Sequence, residues 1–104
     1  MGRWPVILTP QSLDDLREIV TFIAKDNPER AIEFGNELID KALFIGTQPE
    51  MGRVVPEEND PNVHEIVHRT YRIIYELFRE PDAVFLLRFW HGARGAPEIR
   101  GAQL

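Results

Sequence analysis

The chain contains no cysteine, which removes both a disulfide framework and thiolate chemistry. It also lacks any apolar run approaching the roughly 20 residues that span a bilayer. The opening Met-Gly-Arg-Trp-Pro has no apolar core of the kind a secretory signal needs. These absences lead to the expectation of a cytoplasmic protein without membrane association. There is no glycine-rich phosphate loop, no serine-nucleophile arrangement, no internal repeat and no low-complexity tract. Positive charge is in short supply: 17 acidic against 12 basic residues give a net charge of −5, which opposes broad binding to a nucleic-acid backbone. Lysine is scarcer still, with Lys25 and Lys41 beside ten arginines. Arginine is the residue for planar, bidentate contact with carboxylate or phosphate. Five of the ten, Arg69, Arg72, Arg79, Arg88 and Arg94, fall within one third of the chain, so a local cationic patch on an acidic protein is expected.

A chain of 104 residues is long enough for one core and too short for two. The expectation is a single domain over 1–104, with its core between about 4 and 94 and an extended tail over 95–104. Trp4 to Leu8 reads as a first strand. Thr9-Pro10 supplies an N-cap and a proline at the first helical position. Leu13, Leu16, Val20 and Ile23 then follow at helical spacing, with Ile19 widening the stripe, so a helix is expected from Pro10 to about Lys25. Asn27-Pro28 repeats the start signal, and Ala31, Phe34, Leu38, Ala42 and Ile45 mark the buried face of a second helix capped near Gly46. So short a break makes the pair an antiparallel helical hairpin.

Past Gly46 the period changes from helical to alternating. Val54-Val55 can add a brief strand, and Val63 to Arg69, Tyr71 to Arg79 and Val84 to His91 read as a meander of three. The resulting fold class is α+β: an N-terminal strand and a two-helix hairpin packed on a mainly antiparallel sheet of about four strands. A two-residue turn at Pro81-Asp82 would pair Arg79 with Val84, and with them Ile74 with Phe89, Ile73 with Trp90, Tyr75 with Arg88 and Arg72 with His91. Both hairpin faces are then largely apolar. Two helices can cover only one, and the tail is too short and polar to cover the other. An uncovered apolar face points to a protein partner.

His64-Glu65-Ile66-Val67-His68 matches the zinc-hydrolase pattern H-E-x-x-H. That chemistry needs a helix. The segment's alternation favours a strand, on which residues four apart are separated by roughly 13 Å, so no metal and no cofactor are expected. His91 facing Arg72, with Arg94 just beyond and Arg53 on a preceding loop, could hold a phosphate or stabilise a phosphorane-like transition state. The same side chains could equally be solvated sheet-end residues paired with the many carboxylates. Tyr71, Tyr75 and Trp90 have the chemistry to stack on a base, although strand aromatics are more often core.

The order of these elements, with Asp15-Leu16 and Ile19 in the first helix, Asn27-Pro28 between helices, Pro49-Glu50-Met51-Gly52-Arg53, Tyr71-Arg72-Ile73-Ile74-Tyr75 and His91-Gly92-Ala93-Arg94, resembles the RelE/ParE toxin superfamily of type II toxin–antitoxin systems, and the ParE branch in particular. The resemblance spans about Trp4 to Arg94. It implies a toxin, often tied to plasmid stabilization, held in a hetero-oligomer by a ParD-like antitoxin whose disordered C-terminal segment folds around it. RelE-like members cut mRNA on the ribosome, a role that would fall here to Arg72, His91 and Arg94. ParE-like members instead inhibit DNA gyrase without being enzymes of this kind. After Arg94 the sequence carries no Tyr, His or Lys to serve as acid or base, a departure that favours the gyrase inhibitor. Arg53, Arg72, Tyr75, Trp90 and Arg94 are then the candidate partner-binding residues. A non-toxic antitoxin-binding module of the same fold is the further alternative.

Overall fold

The computed structural model describes residues 3–99 of the 104. In chain order the elements are β1 (Val6–Leu8), α1 (Pro10–Ala24), α2 (Pro28–Phe44), β2 (Arg53–Val54), β3 (Val63–His68), β4 (Tyr71–Phe78) and β5 (Ala83–His91). Single 3₁₀ turns follow α2 (Ile45–Thr47) and β5 (Gly92–Arg94). Among the described residues no helix is long and apolar enough to cross a membrane.

Both helices start as their sequences require. The Thr9 hydroxyl accepts the Ser12 N–H and the Asn27 side chain accepts the Arg30 N–H, each with proline in the first helical turn. Such caps contribute about 1 kcal/mol each. α2 ends one residue before Ile45 and continues into the 3₁₀ turn, so Gly46 lies inside that turn rather than at the cap. Gly46 is needed for another reason: a Cβ there would collide with the Trp4 carbonyl, where the Trp4 N–H reaches the Gly46 carbonyl at 2.8 Å.

The strands form one five-stranded sheet in the order β1-β5-β4-β3-β2. The expected fold class holds, and the count is five because Arg53–Val54 pairs with Glu65 and His64. β1 lies parallel to β5 at one edge, and the other pairings are antiparallel. One sheet face carries Ile73, Tyr75, Leu77, Val84, Leu86 and Phe89 and packs on Ile19, Phe34, Leu38, Ala42 and Ile45 from the helical side.

The expected register between β4 and β5 is wrong, for two reasons. The connection spans four residues, Arg79 to Asp82, so Phe78 pairs with Ala83 and Leu77 with Val84. That shift of two keeps every side chain on its expected face. A bulge then leaves Leu87 unpaired between Tyr75↔Leu86 and Ile74↔Arg88. Beyond it the offset becomes odd, and the faces exchange. Ile73 meets Phe89 rather than Trp90, Arg72 meets Trp90, and His91 meets Tyr71.

The second sheet face is covered, against expectation. Val63, Ile74, Leu87 and Trp90 form a second buried cluster with Val55 from the loop after β2 and Ile99 from the C-terminal segment. Residues 95–99 therefore fold back on the sheet. The Trp90 indole N–H donates to the Gly95 carbonyl and the Arg88 guanidinium donates to the Glu98 carbonyl. The remainder of the expected tail, 100–104, lies outside the described residues.

Candidate functional site

Between the end of α2 and β3 the chain must place charged groups on an apolar sheet, and it does so by pairing them. Glu65 is fully buried, with its carboxylate held by Arg53 Nε at 2.6 Å and by Arg72 Nε. Arg72 also donates from both terminal nitrogens to Glu57, at 2.7 and 3.1 Å. With two carboxylates on one guanidinium, Glu57 is held below the usual carboxylate range, chiefly by its hydrogen bonds from Arg72. Arg72 is correspondingly raised, by its hydrogen bonds to Glu57 and then Glu65. A buried carboxylate is tolerated only when paired and hydrogen-bonded in this way. Gly52 permits the approach, since a Cβ there would overlap the Glu65 carbonyl and the Tyr75 hydroxyl.

Register places Arg72 beside Trp90 on this same face, and Arg94 lies over the indole, 3.9 Å from ring centroid to guanidinium. Arg88, also within cation–π range of Trp90, points back to α1. It binds Asp15 through two hydrogen bonds of 2.8 Å, and Asp15 additionally accepts the Phe89 N–H at 3.0 Å. β1 stops at Leu8, so the β5 edge beyond it has no strand partner. The Asp15 carboxylate takes that place.

Of the residues singled out in the sequence, Arg53, Arg72 and Trp90 therefore share the sheet face turned away from the helices, while Arg94, in the turn after β5, stacks on Trp90 and also borders the space beneath α1. Tyr75 and His91 do not join them. Tyr75 is fully buried on the helical side, its hydroxyl donating to the Pro49 carbonyl at 2.9 Å and accepting the Gly52 N–H at 3.1 Å. Burial pushes its phenol pKa up. His91 packs edge-on against Tyr71, with ring centroids 5.0 Å apart, so the expected Arg72–His91 pair does not exist. His64 and His68 lie on a strand, as expected. The first meets the Gly52 and Pro61 carbonyls, and the second meets Glu37 on α2. Among the described residues no cluster of His, Cys, Asp or Glu has the makings of a metal site.

Sequence reasoning missed Asp15, Glu57 and Glu37 as structural anchors. Glu37 gathers His68, Arg30 and Arg69 between α2 and β3. The available signal was the excess of carboxylates at spacings that read as solvated surface. Arg88, the one charge inside an otherwise apolar strand, also signalled a buried partner.

The comparisons with known proteins agree with this architecture. No significant match is found among curated proteins. Among solved structures, the chain is similar to one described as the chromosomal ParDE TA system from P. aeruginosa, with a TM-score of 0.68 and 14% identity over 86% of this chain and 96% of the other. It is also similar to one described as the toxin–antitoxin complex RelBE2 from Mycobacterium tuberculosis, with a TM-score of 0.66 and 20% identity over 86% and 99% of the two chains. At these identities the likeness concerns the fold. Residues 6–95 match the family described as the ParE toxin of the type II toxin–antitoxin system parDE. With that match covering most of its length, the chain belongs to the ParE toxin family.

Proposed function

We propose that this type II toxin acts as a protein inhibitor of DNA gyrase in the cytoplasm, is not a nuclease, and is neutralised by a ParD-like antitoxin in a hetero-oligomer. The observation that carries the reading is the state of Arg72. A guanidinium that must hold a scissile phosphate needs a free donating edge, and each of this one's three nitrogens already donates to Glu57 or Glu65. A phosphate dianion would have to displace two carboxylates from a partly buried site, at a cost of several kcal/mol. The candidate proton-transfer group, His91, lies on the other side of the sheet with Tyr71. A net charge of −5 works against docking among ribosomal phosphates. The test is paired: purified chain is expected to inhibit gyrase supercoiling and to leave ribosome-bound mRNA uncut. Codon-dependent cleavage lost in Arg72→Ala would overturn the reading.

A further inference from the structure

A cleft of about 170 Å³ opens between α1, the N-terminal end of β4 and the C-terminal end of β5. Its apolar surface comes from Ile19, Phe22, Tyr71 and Phe89, and its polar groups are Asp15, Glu18, His91 and Arg94. Ile19 and Phe89 are buried, whereas Phe22 is 71% exposed, the most exposed large apolar side chain in the described structure. Asp15 is already neutralised by Arg88.

Most of the described arginines are committed: Arg17, Arg30, Arg53, Arg69, Arg72, Arg79 and Arg88 each hold a carboxylate. Arg94, like Arg3 at the N-terminal end, has no carboxylate partner among the described residues, and Arg94 is the one that lines this cleft. Its plane is fixed by the Trp90 ring 3.9 Å away, which leaves the N–H groups at its edge unspent. His91 is likewise prepared. Its Nδ1 accepts the Ala93 N–H at 3.0 Å, so the neutral ring carries its proton on Nε2, which has no hydrogen-bond partner among the described residues. The short turn Gly92–Arg94 thus presents two donors beside an apolar wall.

We infer that this cleft is a peptide-binding site that takes one carboxylate side chain, held by Arg94 and His91, with a neighbouring apolar side chain of the same peptide packed on Phe22. Glu18 faces the same space and opposes a doubly charged phosphate more than a single carboxylate. The acidic surface of the whole chain opposes a polyanion for the same reason. Assigning the peptide to the antitoxin rests on the toxin reading above; recognition of a carboxylate does not.

The experiment is amide chemical-shift mapping on the ¹⁵N-labelled chain with N-acetyl-Leu-Glu-amide, its isosteric Leu-Gln counterpart and inorganic phosphate as probes. The Leu-Glu probe is expected to shift the Phe22, Ala93 and Arg94 amides saturably, with the Leu-Gln probe roughly tenfold weaker, as loss of a charge-assisted bond requires. Arg94→Gln is expected to show the same loss for Leu-Glu. Arg17→Gln, on the exposed side of α1, should bind as the parent does. Equal responses to the Glu and Gln probes, no response at the cleft, or a stronger response to phosphate would each overturn the inference. None of these outcomes depends on gyrase inhibition, so the two readings can fail separately.

Discussion

Single residues in this protein matter where a charge has been taken out of water. Asp15 is the clearest case. It is 5% exposed, pairs with a 7% exposed Arg88, and accepts the Phe89 N–H at an edge where the sheet has run out of strands. Replacing a buried ion pair by apolar groups is often neutral, but removing one partner leaves the other charge stranded. Asp15→Ala is therefore expected to destabilise the chain by about 3–5 kcal/mol, read as a lower urea midpoint with an unchanged slope. Asp14→Ala, one residue away, breaks only the exposed pair with Arg17 and is expected to cost less than about 1 kcal/mol. Part of this contrast was written in the sequence. Ile19, on the same stripe as Leu16 and Ile23, fixes which face of the first helix is buried, and Asp15 falls beside that face. Its partner was hidden because Arg88 was placed opposite Tyr75, the consequence of a register without a bulge.

At the scale of elements, the helices were legible and the sheet was legible only in outline. Thr9-Pro10 and Asn27-Pro28 announce helix starts because capping chemistry is local. The β4–β5 pairing is set by loop length and by an extra residue at Leu87, neither of which alternation can reveal when nearly every residue from Ala83 to Trp90 is apolar. The covered second face was missed for a related reason. Val55 and Ile99 sit in stretches dominated by Pro, Glu, Gly and Asn, where a single apolar anchor leaves no period. How the elements are tied together also escaped sequence reasoning, and Glu37 shows what the tie does. Its carboxyl is held down at about 2 against an ordinary 4.5, first by the hydrogen bond from His68, then by those from Arg30 and Arg69. A carboxyl whose folded value is depressed adds stability above its unfolded pKa. That stability is lost as pH falls from about 4.5 towards 2. Glu57, lowered by Arg72, acts in the same direction. Glu37→Gln is thus expected to flatten the acid limb of the stability profile between about pH 5 and pH 2, bringing parent and variant together at the acid end. Urea midpoints measured across that range check it, and a constant offset at every pH would contradict it.

For the whole molecule, the covered second face changes where a partner must bind without changing what drives the binding. With Val55 and Ile99 in place, the sheet face turned away from the helices is largely covered among the described residues. Most of the exposed large apolar side chains among the described residues lie instead on the helical hairpin, at Leu13, Phe22, Ile32, Leu43 and Phe44, with the rest scattered at Met51, at Val54 and Val67 near the β2 edge, and at Ile7 and Phe78 at the far end of the sheet. Among the described residues the arginines that could attract an acidic partner are, Arg3 and Arg94 aside, committed to the chain's own carboxylates, and net charge is −5. An antitoxin segment held mainly by charge would have to break those pairs and approach an acidic surface. One held by apolar burial on the helices would not, and its few ion pairs would chiefly set register and association rate. The complex with antitoxin is accordingly expected to weaken by no more than roughly tenfold between about 0.1 M and 1 M salt, within a Debye length that shrinks from about 10 to 3 Å. Binding through many phosphate-like contacts would lose about 10³-fold or more over a smaller span. Calorimetric or surface-based titration at several salt concentrations separates the two. Truncating apolar anchors such as Phe22 or Ile32 to alanine should weaken the complex at every salt concentration, whereas steep dissociation by moderate salt would mean that charge, not burial, holds the pair together.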